Sequence, residues 1–400
     1  MSSAPSRARG GQPREPPITG AAHPRPTLPG GPYAVVGLAR SGSAAALALA
    51  DRGERVVGLD AAPLRDASQL AAAGVEIRSG AQAQTLPSEV SAVVKSPGVP
   101  PDAPPIREAR SRGLPLIGEL ELGWRLLPNQ FIAVTGTNGK TTTAELIGHI
   151  HRVARLPVVV AGNVGTALTA LVGRLDVAAT VACEASSFQL EDTEAFAPEA
   201  ALLVNLAPDH LDRHRTFARY VAAKARVFER QLAGDLAVLP QSLLSGSAGP
   251  GAALARAGAA RRVTFGADPD ADLSECDGKL RWRGEGLLAA GEIALPGRHN
   301  IENAMAAAAV CLARGVGAEP VREALRSFAG VRHRLEQVAS RDGVRFINDS
   351  KATNISSTLV ALSTLRGEGR IRLILGGQGK GQDFTALADA VRECCLAVYL

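Results

Sequence analysis

The chain of 400 residues has no apolar run long enough for a signal peptide or a membrane-spanning helix, so neither export nor a membrane location is expected. It is also short of cysteine: Cys183, Cys276, Cys311, Cys394 and Cys395 are odd in number and show neither metal-ligand spacing nor a disulfide framework. Reduced thiols in the cytoplasm are the expectation. Excess charge is scarce as well. Of the formal net charge of +5, residues 1–30 hold +3, from Arg7, Arg9, Arg14 and Arg25 against Glu15, and the remainder only +2. The pI near 9.1 therefore makes no case for nucleic acid as a partner. A monomer that binds neither nucleic acid nor membrane is expected. Residues 1–30, rich in Pro, Gly, Ser and Arg, read as a disordered tail.

What is present is organised around residues 131–143. Phe131, Ile132, Ala133 and Val134 read as a buried strand, Gly136, Thr137, Asn138, Gly139 and Lys140 as a tight loop, and Thr141 and Thr142 as the opening of a helix. Such a loop aims consecutive backbone N–H groups and the positive end of a helix at one point, where an anion is the good partner. Lys140 adds a charge for the outer phosphates and Thr141 a hydroxyl for Mg²⁺. Val134 stands where the common form G-x-x-x-x-G-K-[ST] has glycine, so the motif is T-G-T-N-G-K-T-T. A nucleoside triphosphate site is expected.

Ahead of it, Tyr33-Ala-Val-Val-Gly-Leu-Ala-Arg-Ser-Gly begins a strand, turn, helix and second strand, with Gly37, Ala39 and Gly42 in the places of a dinucleotide fingerprint. Ala39 replaces the middle glycine, which argues against a nicotinamide or flavin cofactor. A diphosphate-binding loop, or a loop that merely packs, remains. Asp60 ends the second strand in position for a ribose hydroxyl. A domain boundary is expected within Arg125–Gln130.

After the loop, three strands deliver Asn163, Glu184 and the run Ala207-Pro-Asp-His-Leu-Asp-Arg-His214 to one edge of a parallel sheet, so Glu184 and His210 can meet the phosphate loop. Taken singly, the acid reads equally as a helix cap and the histidine as a surface or core residue. In the following helix Phe217, Tyr220, Val221, Val227 and Phe228 form an apolar stripe, and Lys224 sits in its middle. A lysine there must snorkel, pair or be modified, or else point into the active site. Asn300 and Asn303 share a helix face and suit an adenine edge, though capping alone would explain Asn300. Past a linker over Gly330–Glu336, a third α/β unit carries Asn348-Asp-Ser-Lys-Ala-Thr-Asn354 and Gly376-Gly-Gln-Gly-Lys380 and stops in the apolar run Leu396–Leu400. Some 70 residues of this pattern look like an incomplete domain.

These motifs, with C-E-A-S-S-F-Q-L-E, N-L-A-P-D-H-L-D-R-H, A-A-K-A-R, G-R-H-N-I-E-N-A and H-R-L-E, resemble the Mur ligases of peptidoglycan synthesis, in the right order over about residues 33–400. G-L-A-R-S-G and S-S-F-Q-L-E are similar to the D-glutamate-adding branch. The resemblance implies an α/β protein of three domains: a Rossmann-like domain for the UDP-sugar over 31–127, a phosphate-loop ATPase domain over 128–330, and a Rossmann-like domain for the amino acid over 331–400. It implies an ATP-dependent ligase that adds D-glutamate to UDP-N-acetylmuramoyl-L-alanine through an acyl phosphate. Lys140 would contact the β and γ phosphates, within an ATP site of Gly136, Thr137, Asn138, Gly139, Thr141 and Thr142. Thr141 and Glu184 would hold one Mg²⁺, and His210 with a carbamylated Lys224 a second metal. Asn300, Asn303, Arg334 and Asp349 would bind adenosine and ribose. Ala39, Arg40, Ser41, Gly42, Asp60 and Asn163 would serve the UDP-sugar, and Thr353 and Lys380 D-glutamate.

The chain departs from the pattern at Ala61-Ala62, where polar contacts to uracil are common, and at Gln378, where an acid is common. Family residues for D-glutamate beyond position 400 are absent, so a chain that binds ATP but ligates poorly is expected. The alternatives are another amino-acid-adding member, folylpolyglutamate synthase, which would not be expected to carry the amino-terminal G-L-A-R-S-G domain, and a non-catalytic nucleotide-binding protein.

Overall fold

The computed structural model describes residues 22–244, 253–254, 257–352, 354–367, 369–377 and 383–400. Its first sheet is all parallel, in the order β3-β2-β1-β4-β5, from β1 (Tyr33–Val36), β2 (Val56–Asp60), β3 (Glu76–Ser79), β4 (Ala92–Lys95) and β5 (Leu116–Gly118). β1 and β4 are buried on both faces, which is why they read as continuous apolar runs without alternation. The chain order reverses between β1 and β4. At that switch point Gly37 takes a φ of 85°, and a Cβ on Gly42 would lie 1.7 Å from the Gly37 carbonyl oxygen. Both glycines are thus required by the turn and by the close approach of the helix Arg40–Ala50.

The second sheet runs β14-β13-β12-β11-β10-β9-β6-β8-β7. β6 (Phe131–Thr135), β7 (Val158–Gly162), β8 (Thr180–Glu184), β9 (Ala200–Leu203), β10 (Leu236–Pro240), β11 (Arg261–Gly266) and β12 (Leu273–Cys276) are parallel. β13 (Lys279–Trp282) and β14 (Glu285–Ala289) add an antiparallel meander that the sequence reading passed over. Alternation sorts β6 between two cores. Phe131 and Ala133 join Leu120, Trp124, Val221 and Phe228 on one face; Ile132 and Val134 join Ile147, Ile150 and the alanines of Arg298–Ala313 on the other.

The first and second sheets are locked together. The helix Glu119–Leu126 bridges them: Glu119 accepts hydrogen bonds from Thr169 N (2.9 Å) and Oγ1 (2.8 Å), and Glu121 accepts from the backbone of Glu194 and Ala195. Lys95, fully buried, pairs with Asp192 at 2.5 Å. The expected disordered tail does not extend to residue 30. His23 bonds Asp235 at 2.6 Å, while Arg25 lies 4.4 Å from the Trp124 ring centre and pairs with Glu199 at 3.1 Å. A planar cation flanked by an aromatic face and a buried carboxylate outweighs the disorder that local composition suggests. Residues 1–21 lie outside the described part.

Beyond residue 330, β15 (Glu336–Arg341) and β16 (Val344–Asn348) form an antiparallel hairpin, and β17 (Ile371–Ile374) pairs in parallel with β18 (Cys395–Tyr399). β15 starts at Glu336, where the sequence pattern suggested only the end of a linker.

Candidate active site

The phosphate loop connects β6 to the helix Lys140–Val153. Gly139 takes a φ of 79°, and a Cβ there would meet Asn303 Oδ1 at 2.1 Å, so glycine is needed both for the turn and for the asparagine beside it. Asn205 braces the loop from below: its Oδ1 accepts from Asn138 N at 2.9 Å and its amide donates to Asn138 O at 3.2 Å. Thr137 Oγ1 donates to the Ala207 carbonyl at 3.0 Å.

β8 places Glu184 next to Val134 in register, at the mouth of the loop. Glu184 is buried, accepts from Thr141 Oγ1 at 2.7 Å and from Asn163 Nδ2 at 3.0 Å. Asn163 thus stands beside Glu184 and holds one of its oxygens. A hydroxyl and a carboxylate side by side are hard oxygen donors, a set that fits Mg²⁺ with water and phosphate oxygens completing its shell.

Lys140 Nζ and Lys224 Nζ both donate to the Gly136 carbonyl oxygen, at 3.0 and 2.7 Å. Lys224 is 1% exposed, so it does not snorkel. Burial first, and the charge of Lys140 second, hold its pKa well below that of an ordinary lysine. Burial lowers Lys140 too, partly opposed by Glu184. A lysine pair on one carbonyl, with a helix start behind it, leaves donors and the positive end of a helix facing the place of an anion. Tyr220 was read only as a stripe residue, yet one turn before Lys224 its ring lies 4.6 Å from Nζ and its hydroxyl donates to Thr137 Oγ1 at 3.0 Å. The i,i+4 spacing of Tyr220 and Lys224 was the available signal.

His210 is half exposed at the side chain, with its ring centre 4.8 Å from that of Phe188 and its pKa lowered chiefly by burial. Its φ of 52° is left-handed and starts the turn Leu211–His214. Lys224 as a free amine lacks the negative charge of a hard-metal ligand. Among the described residues no group of three or more His, Cys, Asp or Glu could hold a metal. With Lys224 as a free amine, it and His210 do not make up a site for a second metal.

Asn300, Asn303, Arg334 and Asp349 line one cavity together with Gly139, Thr142 and His299. Asn303 donates to Asn300 Oδ1 at 3.2 Å and Asn300 to the Pro296 carbonyl at 2.7 Å. The helix begins at Arg298, so Asn300 is inside it and is no cap. In the first domain Arg40 and Ala39 are exposed, and Ser41 Oγ lies 3.2 Å from Ser96 Oγ. Asp60 accepts from Leu38 N at 2.7 Å and from Ala62 N at 3.0 Å, so both oxygens hold backbone. Thr353, Gln378 and Lys380 lie outside the described residues.

Three family models match in sequence order: the Mur ligase family, catalytic domain, over residues 39–122; the Mur ligase middle domain over 134–311; and the Mur ligase, glutamate ligase domain, over 333–400. A protein named UDP-N-acetylmuramoylalanine--D-glutamate ligase from Pelotomaculum thermopropionicum is 42% identical over 371 residues, 90% of this chain and 80% of the relative. Its namesake from Solibacter usitatus is 42% identical over 369 residues, 92% and 81%. MurF from Acinetobacter baumannii shares the fold, with a TM-score of 0.59 at 19% identity, over 87% of this chain and 82% of its own. Ordered matches along nearly the whole folded chain, over a phosphate loop flanked by Glu184, His210 and a buried Lys224, place this protein in the Mur ligase family.

Proposed function

We propose that the chain is an ATP-dependent ligase that joins D-glutamate to UDP-N-acetylmuramoyl-L-alanine, working as a monomer in the cytoplasm. The observation that carries the reading is the meeting of Lys140 and Lys224 on the Gly136 carbonyl, beside the Thr141–Glu184 pair. The curated relatives carry the name of that reaction. Residues 31–127 would bind the UDP-sugar, 128–330 ATP and 331–400 the amino acid.

A carboxylate resists an amine because its carbon is electron rich and its oxygens leave poorly. Moving the γ-phosphoryl group of ATP onto an oxygen of the L-alanyl carboxylate forms an acyl phosphate, a mixed anhydride, and releases ADP. The neutral amine of D-glutamate then adds to that carbon, inorganic phosphate leaves, and the amine proton goes to solvent. Lys140 and the loop amides of Gly136–Thr142 hold the phosphates in line. Asn300, Asn303, Arg334 and Asp349 seat the adenosine, while Asn163 orients Glu184 and meets the sugar-linked substrate. Ala39, Arg40, Ser41 and Gly42 form the UDP-sugar loop, Asp60 borders it while holding Leu38 N, and Thr353 and Lys380 serve D-glutamate. Thr141 and Glu184 would hold Mg²⁺, and His210 with carbamylated Lys224 a second ion, whose chemistry is to neutralise charge on the phosphate oxygens. The depressed pKa of Lys224 supports the carbamate, since only the uncharged amine adds to carbon dioxide. In that addition Nζ bonds the carbon and its proton leaves to solvent.

The test is phosphate release from ATP that requires both UDP-N-acetylmuramoyl-L-alanine and D-glutamate. Equal release with L-glutamate or meso-diaminopimelate would overturn the D-glutamate assignment, and nucleotide binding with no release would overturn ligation. Lys224→Ala is expected to abolish turnover, with partial return on adding short carboxylic acids; full activity in that variant would remove the carbamate.

A further inference from the structure

The helix Ile355–Thr364 begins against the phosphate loop rather than beside it. Its N-cap, Asn354, uses both ends of its amide. Oδ1 accepts from Ser357 N at 2.8 Å, which is the cap, and Nδ2 is thereby turned outward, where it donates to Asp209 Oδ2 at 3.3 Å. One turn on, Ser357 Oγ donates to Asn138 Oδ1 at 3.2 Å. Asn138 is fixed from the other side by Asn205. Asp209 is fixed through its other oxygen, which accepts from His210 N at 2.8 Å.

These two bonds join groups of different kinds. Asn138 is a phosphate-loop residue, and Asp209 precedes His210 and bears electrostatically on Lys140 and Lys224. On the other side, the segment that ends at Asn354 contains Asp349, in the wall of the nucleotide cavity. We propose that Asn354 and Asp209, helped by Ser357 and Asn138, are positioning residues that latch the start of the helix Ile355–Thr364 onto the phosphate loop, so that the incoming amine reaches the activated carboxyl carbon before water does. The proposal rests on the ligase reading above and deepens it. A latch of two part-buried hydrogen bonds is weak enough to open for product release and directional enough to set register when shut.

Asn354→Asp preserves the cap, because a carboxylate accepts from Ser357 N, but turns a donor into a second anion facing Asp209. The expected result is a fall of about ten-fold or more in kcat/KM for D-glutamate, the size of one lost hydrogen bond to a charged group, with the affinity for an unreactive ATP analogue and the thermal midpoint unchanged. Phosphate release is expected to exceed amide formation, since water captures the activated carboxyl group when the segment is loose. Asn354→Asp combined with Asp209→Asn reverses donor and acceptor and is expected to recover D-glutamate kcat/KM and coupling to the level of Asp209→Asn alone. Asn354→Ser keeps the cap without repulsion and is expected to fall between parent and Asn354→Asp. Small-angle scattering with the ATP analogue is expected to show less compaction for Asn354→Asp than for the parent. Unchanged coupling and compaction in Asn354→Asp, or a double variant no better than Asn354→Asp, would overturn the latch. A parent enzyme without D-glutamate-dependent release would instead overturn the ligase reading, and compaction would still decide the latch.

Discussion

The first and second sheets are joined by charges sunk out of water, whereas the second sheet and the segment after residue 330 meet at the active site through an amide on the Asp209 carboxylate and a hydroxyl on the Asn138 amide. Lys95–Asp192 at 2.5 Å, Glu119 on Thr169, and Arg25 between Trp124 and Glu199 belong to the first joint. Asn354–Asp209 and Ser357–Asn138 belong to the second, at 3.3 and 3.2 Å. A buried ion pair is costly to separate, because each half would remain unpaired in a poor solvent. A part-buried hydrogen bond contributes about 1 kcal/mol net, somewhat more to a charged partner, and can exchange for water. The difference teaches that the first sheet is tied to the second by buried charge, while the segment after residue 330 meets it through a few part-buried hydrogen bonds, the joint on which the proposed latch rests.

Breaking the buried joint has the largest expected effect. Asp192→Ala leaves the Lys95 ammonium buried and alone and is expected to cost about 3–5 kcal/mol, read by urea unfolding. Lys95→Met with Asp192→Leu is expected to recover most of that. Arg25→Ala removes the cation from Trp124 and Glu199 and is expected to cost about 2 kcal/mol, with faster proteolysis before Tyr33. Stability matching the parent would remove residues 22–30 from the joint.

The ATPase core itself contributes a pH dependence. Burial holds His151 below its ordinary pKa of 6.5, and His149, His214 and His299 shift the same way, mainly for the same reason. A depressed folded-state pKa means stability that is complete above about 6.5 and lost as pH falls through the folded value. Unfolding free energy is therefore expected to drop between pH 7 and 5, with a shallower slope for His151→Phe. An identical slope would remove His151 from that loss. The smallest expected effect on stability sharpens the comparison from the other side. Ser357→Ala at the movable joint is expected to change unfolding by less than about 0.5 kcal/mol, yet to lower D-glutamate turnover several-fold. A large loss of stability there would mean that both joints are built alike.

Legibility differed by region for physical reasons. β1, β6 and β8 were readable because a parallel strand covered on both faces needs a nearly unbroken apolar run. β12–β14 were not, since their short half-exposed strands carry Glu, Lys and Arg among the apolar positions. Lys224 was legible as a burial paradox, but its partner, the Gly136 carbonyl 88 positions away, was not. Arg25 read as one more charge in a polar tail, because what orders it, Trp124 and Glu199, is contributed by other parts of the chain.

By itself, then, the amino-acid order determined the local chemistry: a loop that must cradle an anion, a strand end bearing Glu184, a lysine that could not rest in an apolar stripe. Only the tertiary structure decided who meets whom. It placed two lysines on one carbonyl, turned Asn163 toward Glu184, folded residues 22–30 onto the core and set Asn354 against Asp209. Local propensity acts over a few residues, whereas burial and pairing of charge depend on distances that only the packed chain defines.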